Sequence, residues 1–386
     1  MLKNIKVIFL GAGPTALAGI REVSKEKLDV FAIGLNRFEA GLFSKHCTSL
    51  GVCNPFKDSK GLVKLLENFA QKESGKLILI PTGDEFVEFL SQYKEELAYF
   101  GYKFSLLNND LSELFLNKEK FYNLCQQTKT PAPKTWTINQ DSSLEKWSQD
   151  ALYPCFIKPI YYHKWAKVYG LKKGFLVFDK DELLRTYDKV SKNIDELIVQ
   201  EVIEGADDKI VIYTANFSKN LKPKQIFTGR KKRQYPKGFG TTTAAISEDI
   251  KEIKNYAENI LSEVGFEGVC DVEFKFDKRD GLYKIIEINP RIGRWYRLVT
   301  KSGKKPLTSS ILDLAKSEKT LQESEQENGK LWLFPIRDLP SIMKTDAIKD
   351  YFKRAKVWCI FELEDPIPFF VYFLEMASKL IKRKNV

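Results

Sequence analysis

Two kinds of hydrophobic pattern alternate along the chain and predict its elements. Lys6-Val-Ile-Phe-Leu10, Asp29-Val-Phe-Ala-Ile-Gly34 and Leu77-Ile-Leu-Ile80 are short apolar runs. Such runs read as strands buried on both faces of a parallel sheet. The first is followed by Gly11-Ala-Gly13-Pro14 and a helix, which predicts a Rossmann-like α/β domain over residues 1–110. From Leu111 to Cys125 the pattern becomes helical and stops before Thr130-Pro131-Ala-Pro133, a boundary set by proline. Beyond it, Tyr153–Pro159 and Leu171–Phe178 predict an antiparallel pair, with the basic and aromatic stretch 160–170 between them as a flexible flap. Asp195–Gly205 reads as a strand that becomes a hinge, Lys209–Ala215 as a strand, and Ile250–Val264 as an amphipathic helix.

The most informative stretch is Gly268–Phe276, the loop Asp277-Lys-Arg-Asp-Gly281, and Leu282–Arg291. Two runs of β-formers around a loop ending in Asp-Gly predict an antiparallel hairpin. Side chains alternate along a strand, so Asp271, Glu273 and Lys275 share one face, opposite Cys270, Val272, Phe274 and Phe276. On the second strand Ile285, Glu287 and Asn289 share a face, opposite Ile286 and Ile288. If the register keeps parity, Glu273, Glu287 and Asn289 converge on one side. Two carboxylates and an amide oxygen suit a hard cation such as Mg²⁺, which shares its coordination with substrate phosphates. Arg291, two residues further on, then lies within reach of a phosphate.

Composition narrows the function. The 386 residues suggest two or three domains, and 43% hydrophobic with 29% charged is a folded globular balance. Six cysteines without paired spacing and only two histidines, His46 and His163, argue against a zinc site or a histidine triad. The N-terminus runs straight into a strand pattern and no apolar run reaches the ~20 residues of a membrane span. The expectation is a cytosolic protein with reduced thiols. The net charge of +11 admits nucleic acid, a membrane surface or small anions as partners; it is spread along the chain without a nucleic-acid module, so nucleic acid is not expected.

Gly11-Ala-Gly13 fits a loose dinucleotide fingerprint, but Pro14 removes a backbone donor and the second strand ends at Gly34-Leu35-Asn36 without the ribose-binding acid. Asp84 and Glu85, after the third apolar run, either meet a substrate amine or hydroxyl or cap the helix beginning at Phe86. Gln225–Tyr235 carries the densest basic cluster, Arg230-Lys231-Lys232-Arg233, before the Gly/Thr-rich loop 236–243.

In this order the pieces resemble the ATP-grasp superfamily over roughly residues 1–300. The wording Gly229-Arg-Lys-Lys-Arg-Gln-Tyr-Pro and Glu287-Ile-Asn-Pro-Arg-Ile-Gly-Arg-Trp295 looks most like its predicted carboxylate–amine ligases, a branch that includes D-aspartate ligases alongside proteins similar to the carbamoyl-phosphate synthetase large chain. The resemblance implies a Rossmann-like domain over 1–110, a small lid subdomain over 111–195, a core subdomain with the metal site over 196–330, and a C-terminal extension over 331–386. It implies ATP and Mg²⁺ (or Mn²⁺) as cofactors, and small-molecule carboxylate and amine substrates. Residue by residue, it implies that Lys118 and Lys158 touch the nucleotide phosphates. Glu201, the Val202 carbonyl and the Glu204 amide would read the adenine edge, and Asp208, with Asp207 one residue away, the ribose. Glu273, Glu287 and Asn289 would hold the metal. Arg291, with one or more of Arg230, Lys231 and Arg233, would hold the γ-phosphate or the acyl phosphate. Where relatives carry a glycine-rich flap, this chain has Tyr161-Tyr-His-Lys-Trp165, so Lys164 or Lys167 is expected to substitute.

The implied activity is amide formation through an acyl phosphate. Two other readings stay open: an NAD(P)-dependent oxidoreductase built on Gly11-Ala-Gly13, and a non-catalytic ATP sensor. The tail from Phe369 to Lys384 is apolar with a basic end. It reads as a helix docked on the body or lying in an anionic membrane interface, which would place the enzyme at the inner face of the membrane.

Overall fold

β1 (Ile5–Leu10) is buried along its whole length and divides its side chains between two cores. Val7 and Phe9 join Leu17 and Ile20 on one side, while Ile8 and Leu10 join Leu62, Leu66 and Phe86 on the other. A strand covered on both faces needs no polar alternation, hence the unbroken apolar run in the sequence. These positions come from a computed structural model that describes residues 4–105, 109–138, 148, 151–161, 165, 168–169, 174–236, 238, 240–342, 346–352 and 356–384.

β2 (Asp29–Gly34), β3 (Thr48–Val52), β4 (Lys76–Pro81) and β5 (Tyr102–Lys103) pair with β1 in a parallel sheet of order β3-β2-β1-β4-β5. That is a doubly wound order, whose ligand crevice lies beyond the strand carboxyl ends where β1 and β4 part. Helix α1 (Pro14–Val23) covers one face; α2 (Ser59–Lys72), α3 (Asp84–Gln92) and α4 (Lys94–Tyr99) cover the other. β3 has no apolar run because it is a half-exposed edge strand.

The helix expected over 111–125 is two helices, α5 (Asn109–Leu116) and α6 (Lys118–Gln127). Asn117 divides them, its side chain accepting from the Lys120 amide at 3.0 Å as an N-cap. Lys118 therefore opens α6. Next come β6 (Thr135–Ile138), β7 (Cys155–Pro159), β8 (Phe175–Val177), α7 (Lys180–Ser191) and β9 (Leu197–Glu201). The strands form an antiparallel sheet of order β6-β9-β7-β8. Part of the expected flap turns out to be core: Trp165 is fully buried, its ring centroid 4.5 Å from Tyr169 and 5.6 Å from Phe175. Bulky aromatics gain more from burial than from waving in water. Lys164 and Lys167 lie outside the described residues.

The largest sheet contains β10 (Ile210–Phe217), β11 (Pro223–Tyr235), β12 (Thr241–Ser247), β13 (Gly268–Asp277), β14 (Leu282–Asn289), β15 (Leu331–Leu333) and β16 (Lys356–Trp358). Their order is β14-β13-β10-β11-β12-β15-β16. It is packed by α8 (Lys251–Glu263), α9 (Tyr296–Lys301), α10 (Pro306–Leu314), α11 (Pro335–Ile342) and α12 (Ile367–Lys384). Two boundaries move accordingly. β9 completes the small sheet, so that unit runs past 195, and β15 and β16 complete the large one, so 331–358 is no separate extension. The tail then returns to the N-terminal domain. The buried Arg21 guanidinium donates to Asp365 Oδ2 at 2.9 Å and to the Ile360 carbonyl at 2.6 Å. Glu362 bridges Arg21, Arg297 and Lys301.

Candidate active site

The hairpin is built in the expected register where it matters. Asp271 lies opposite Asn289, Val272 opposite Ile288, and Glu273 opposite Glu287. Below that pair the register shifts: Phe274 lies opposite Ile285, leaving Ile286 as the extra residue of a bulge. Ile285 therefore joins Phe274 in the core and Lys284, opposite Lys275, takes the face expected for Ile285, which corrects the simple alternation. The bulge is held by α6, since Tyr122 donates its hydroxyl to the Ile286 carbonyl at 3.0 Å.

Glu273 and Glu287 are thus like charges directly opposite each other, an arrangement that costs stability unless a cation answers it. Asp271 adds to the negative potential. Burial pushes its carboxyl up to about 7, with Glu273 and Glu287 pushing in the same direction against a hydrogen bond from Thr214. Among the described residues no three His, Cys, Asp or Glu side chains are gathered as a ready metal site. Two carboxylates plus the Asn289 amide oxygen is the donor set Mg²⁺ uses when phosphates supply the rest. Gly293 passes so close to Asp271 that a Cβ there would sit 2.1 Å from Oδ2.

The basic cluster divides by strand parity. Gly229 and Glu273 both pair with Ile212, so they share a face, and Lys231 returns to it. Its Nζ lies 3.6 Å from Glu273 Oε2 and 3.2 Å from Gln234 Oε1, with the side chain 4% exposed. Arg230 pairs with Val211, opposite in parity, and forks onto Glu248 at 2.7 Å through both Nε and Nη2. That hydrogen bonding raises its pKa against burial. Arg233, beyond a bulge at Lys232, is spent on Asp338 and Asp350. Lys231 alone of the three stands on the carboxylate face; Arg230 and Arg233 do not. Arg291 does reach the group: its Nη2 donates to Asn289 Oδ1 at 3.0 Å, and it pairs with Asp84 at 2.7 Å. Burial works against its charge, and Asp84, Glu287 and Asp271 outweigh that, so its pKa rises. Asp84 therefore begins α3 and braces Arg291 together.

The hinge is tied to the same hairpin. The Glu201 carboxylate, 2% exposed, accepts from the Lys134 amide at 2.9 Å and pairs with Arg279 and Lys284. Its side chain is thus a strut between β9 and the hairpin loop. Lys275 donates to the Ile203 carbonyl at 2.5 Å and links that segment to the carboxylate face. The sequence placed Lys275 on this face without giving it a role. Asp207 is taken by Gln234 and by the Gly238 amide. Asp208 is exposed, with its carbonyl accepting from Arg230, and so its carboxylate is the more accessible of the two. Lys158 crosses to Gln200 Oε1 at 2.8 Å, and the Lys118 amide meets the Ile160 carbonyl.

The glycine loop holds a residue the sequence reading missed. Glu39 Oε2 accepts from the Ala12 and Leu35 amides, each at 2.9 Å, filling the turn with a carboxylate where a dinucleotide would bring its pyrophosphate. A lone acid outside the motif carries no local signal of this.

The model of the family described as carbamoyl-phosphate synthase L chain, ATP binding domain, matches residues 242–323, which include the whole hairpin. Along the sequence, D-aspartate ligase of Enterococcus faecium is 26% identical over 292 residues, covering 70% of this chain and 68% of that one. The arginine-specific carbamoyl phosphate synthase large chain of Bacillus subtilis is 22% identical over 52% of this chain, and this chain spans 19% of its length. The crystal structure of L-amino acid ligase from Bacillus licheniformis superposes with a TM-score of 0.62 at 18% identity, over 81% of this chain and 74% of that one. The chain has the ATP-grasp fold.

The parity of β11 separates two neighbouring cations, with Lys231 on the carboxylate face and Arg230 off it. Lys231→Met is expected to lower phosphate release from Mg-ATP by about 10²-fold, the scale of removing one preorganised charge. Arg230→Met should stay within about threefold in turnover and cost at most about 1 kcal/mol of stability, as a half-exposed ion pair does. Parallel turnover and urea-unfolding measurements on the two variants check this; equal losses of turnover would mean the parity assignment is wrong.

Proposed function

We propose that this protein is an ATP-dependent carboxylate–amine ligase working through an acyl phosphate. The observation that carries the reading is the opposed pair Glu273 and Glu287, flanked by Asn289, Lys231 and Arg291 on one rigid face. A substrate carboxylate oxygen attacks the γ-phosphorus of ATP, the bond to the bridging oxygen breaks, and ADP leaves with its electron pair. An amine then attacks the acyl carbon, phosphate departs, and the amine's proton is lost to solvent. Mg²⁺, held by Glu273, Glu287 and Asn289, would neutralise charge on the transferring phosphoryl group. Lys231 and Arg291 hold the phosphoryl oxygens, Lys275 bridges hinge and phosphates, and Lys118 and Lys158 approach from the small subdomain. No nucleophilic side chain is needed, because positioning and charge carry such transfers.

The Glu39 carboxylate in the glycine turn opposes the oxidoreductase reading. The test is phosphate release from Mg-ATP with pooled carboxylates and amines. Release that requires both pools is expected. A melting shift with Mg-ATP but no release in any mixture would mean a sensor, and a shift with NADPH alone would mean an oxidoreductase.

For the tail, α12 docks through Phe369, Tyr372 and Met376 and turns Phe370, Phe373 and Leu374 outward. No described helix is long and apolar enough to cross a membrane. We also place the outward face at an anionic bilayer surface, on the strength of the adjoining Lys379, Lys382, Arg383 and Lys384. Flotation with phosphatidylserine liposomes should be lost in Phe370→Glu; equal flotation of both proteins, or of neither, overturns it.

A further inference from the structure

The opposed carboxylates of the hairpin depend on the bulge at Ile286. Below it Lys275 lies opposite Lys284 and Phe274 opposite Ile285, a register that keeps Ile285 in the core. Carried upward without an extra residue, that register would set Glu273 opposite Ile286. Glu287 would then lie opposite Val272, on the apolar face, because a slip of one residue turns a side chain over. Ile286 absorbs the slip and returns Glu287 to Glu273.

An extra residue leaves backbone groups outside the ladder, and β14 is the edge of the large sheet, with no second strand to take them. Two groups at the bulge are answered from one side, by α6 and the link that follows it. The Ile286 carbonyl accepts from the Tyr122 hydroxyl at 3.0 Å, and the Ile285 amide donates to the Pro131 carbonyl at 2.8 Å. Tyr122 is buried, and burial raises its pKa, so the hydroxyl stays a donor. It stands four residues after Lys118, one turn on along the same face of α6. One helix thus grips the residue before Glu287 and carries a lysine of the proposed phosphate set.

We propose that Tyr122 is a positioning residue of the phosphoryl-transfer site: by holding the Ile286 carbonyl it fixes the bulge that sets Glu287 against Glu273, and from the same helix it ties Lys118 to that floor. This rests on the ligase reading and adds a residue that touches neither metal nor phosphate. Groups that hold metal ligands in place without touching the metal commonly govern its affinity.

The test is Mn²⁺ binding to the full-length protein with a non-hydrolysable ATP analogue, read by electron paramagnetic resonance. Beside it, hydrogen exchange over 282–289 is followed in the protein alone. Tyr122→Phe removes one oxygen and keeps the buried ring. It should weaken Mn²⁺ binding about 10-fold and speed exchange over 282–289. Tyr213→Phe is the control, since that buried hydroxyl meets Glu258 at 3.4 Å and its residue pairs with Val272, opposite in parity to Glu273. It should leave Mn²⁺ binding unchanged. Wild-type Mn²⁺ affinity in Tyr122→Phe, or an equal loss in Tyr213→Phe, overturns the proposal. Glu287→Gln separates this from the reading beneath it. If wild type and Glu287→Gln bind Mn²⁺ equally, the metal assignment fails and takes the ligase reading with it. If Glu287→Gln weakens binding and Tyr122→Phe does not, the positioning role alone fails.

Discussion

Glu287→Gln is expected to lower phosphate release from Mg-ATP by roughly 10³-fold or more, the scale on which charge neutralisation matters in phosphoryl transfer. The substitution keeps the shape of the side chain and removes one of two charges that face each other across β13 and β14. Its effect on the fold should run the other way. With like charges no longer opposed, the protein without nucleotide should melt at the same temperature or slightly higher. Mg²⁺ should then cease to strengthen ATP binding. Glu273→Gln should behave alike, and the double variant should be little worse than either single one, because the two act as a unit. A Glu287→Gln protein that loses turnover and stability together would instead mark a structural residue. Raising the divalent concentration, or replacing Mg²⁺ with Mn²⁺, should recover part of the loss if the defect is in metal affinity.

Arg21→Met is expected to produce the largest loss of stability, about 3–5 kcal/mol, since it leaves a buried charge without its partner. Arg21 is 1% exposed and Asp365 2%, and the guanidinium also holds the Ile360 and Asp365 carbonyls. The measurements are the urea midpoint and proteolysis, with new cleavage expected between 359 and 366. The same network sets an acid limit. Burial works against Glu362 ionising, but Arg297 and Lys301 overcome it and bring its carboxyl down to about 2, and Asp365 is lowered as well by Ser44, the Lys45 amide and Arg21. Depressed acids contribute stability above their ordinary range and lose it as pH falls toward the folded value. Wild type should therefore weaken between about pH 4.5 and 2, and Arg21→Met should weaken over a narrower acid range because part of that contribution is already gone.

The hairpin could be read from the sequence because alternation, a short Asp-Gly loop and the run Glu-Ile-Asn-Pro-Arg all sit within 24 residues of chain, 268–291. Its bulge could not, since one unpaired residue at Ile286 leaves no mark in composition and is fixed by Tyr122 of a distant helix. The same limit explains Arg230. Four consecutive basic residues look equivalent until pairing with β10 and β12 assigns each a face, and two register shifts between β11 and β12 defeat counting. The ion pairs of Glu201 are not legible either, because Arg279 and Lys284 meet it only when the hairpin folds back on β9. β15 and β16, at three residues each, are too short for any periodicity, and so the end of the chain read as an appendage when it finishes the large sheet.

A substrate carboxylate phosphorylated at the hairpin becomes an acyl phosphate that hydroxylamine traps as a hydroxamate. The most direct measurement is incubation with Mg-ATP, pooled carboxylates and hydroxylamine, following phosphate release and hydroxamate together. An acyl phosphate predicts hydroxamate in step with phosphate, both dependent on a carboxylate and both lost in Glu287→Gln. Phosphate without hydroxamate, or hydroxamate that persists in Glu287→Gln, would contradict it.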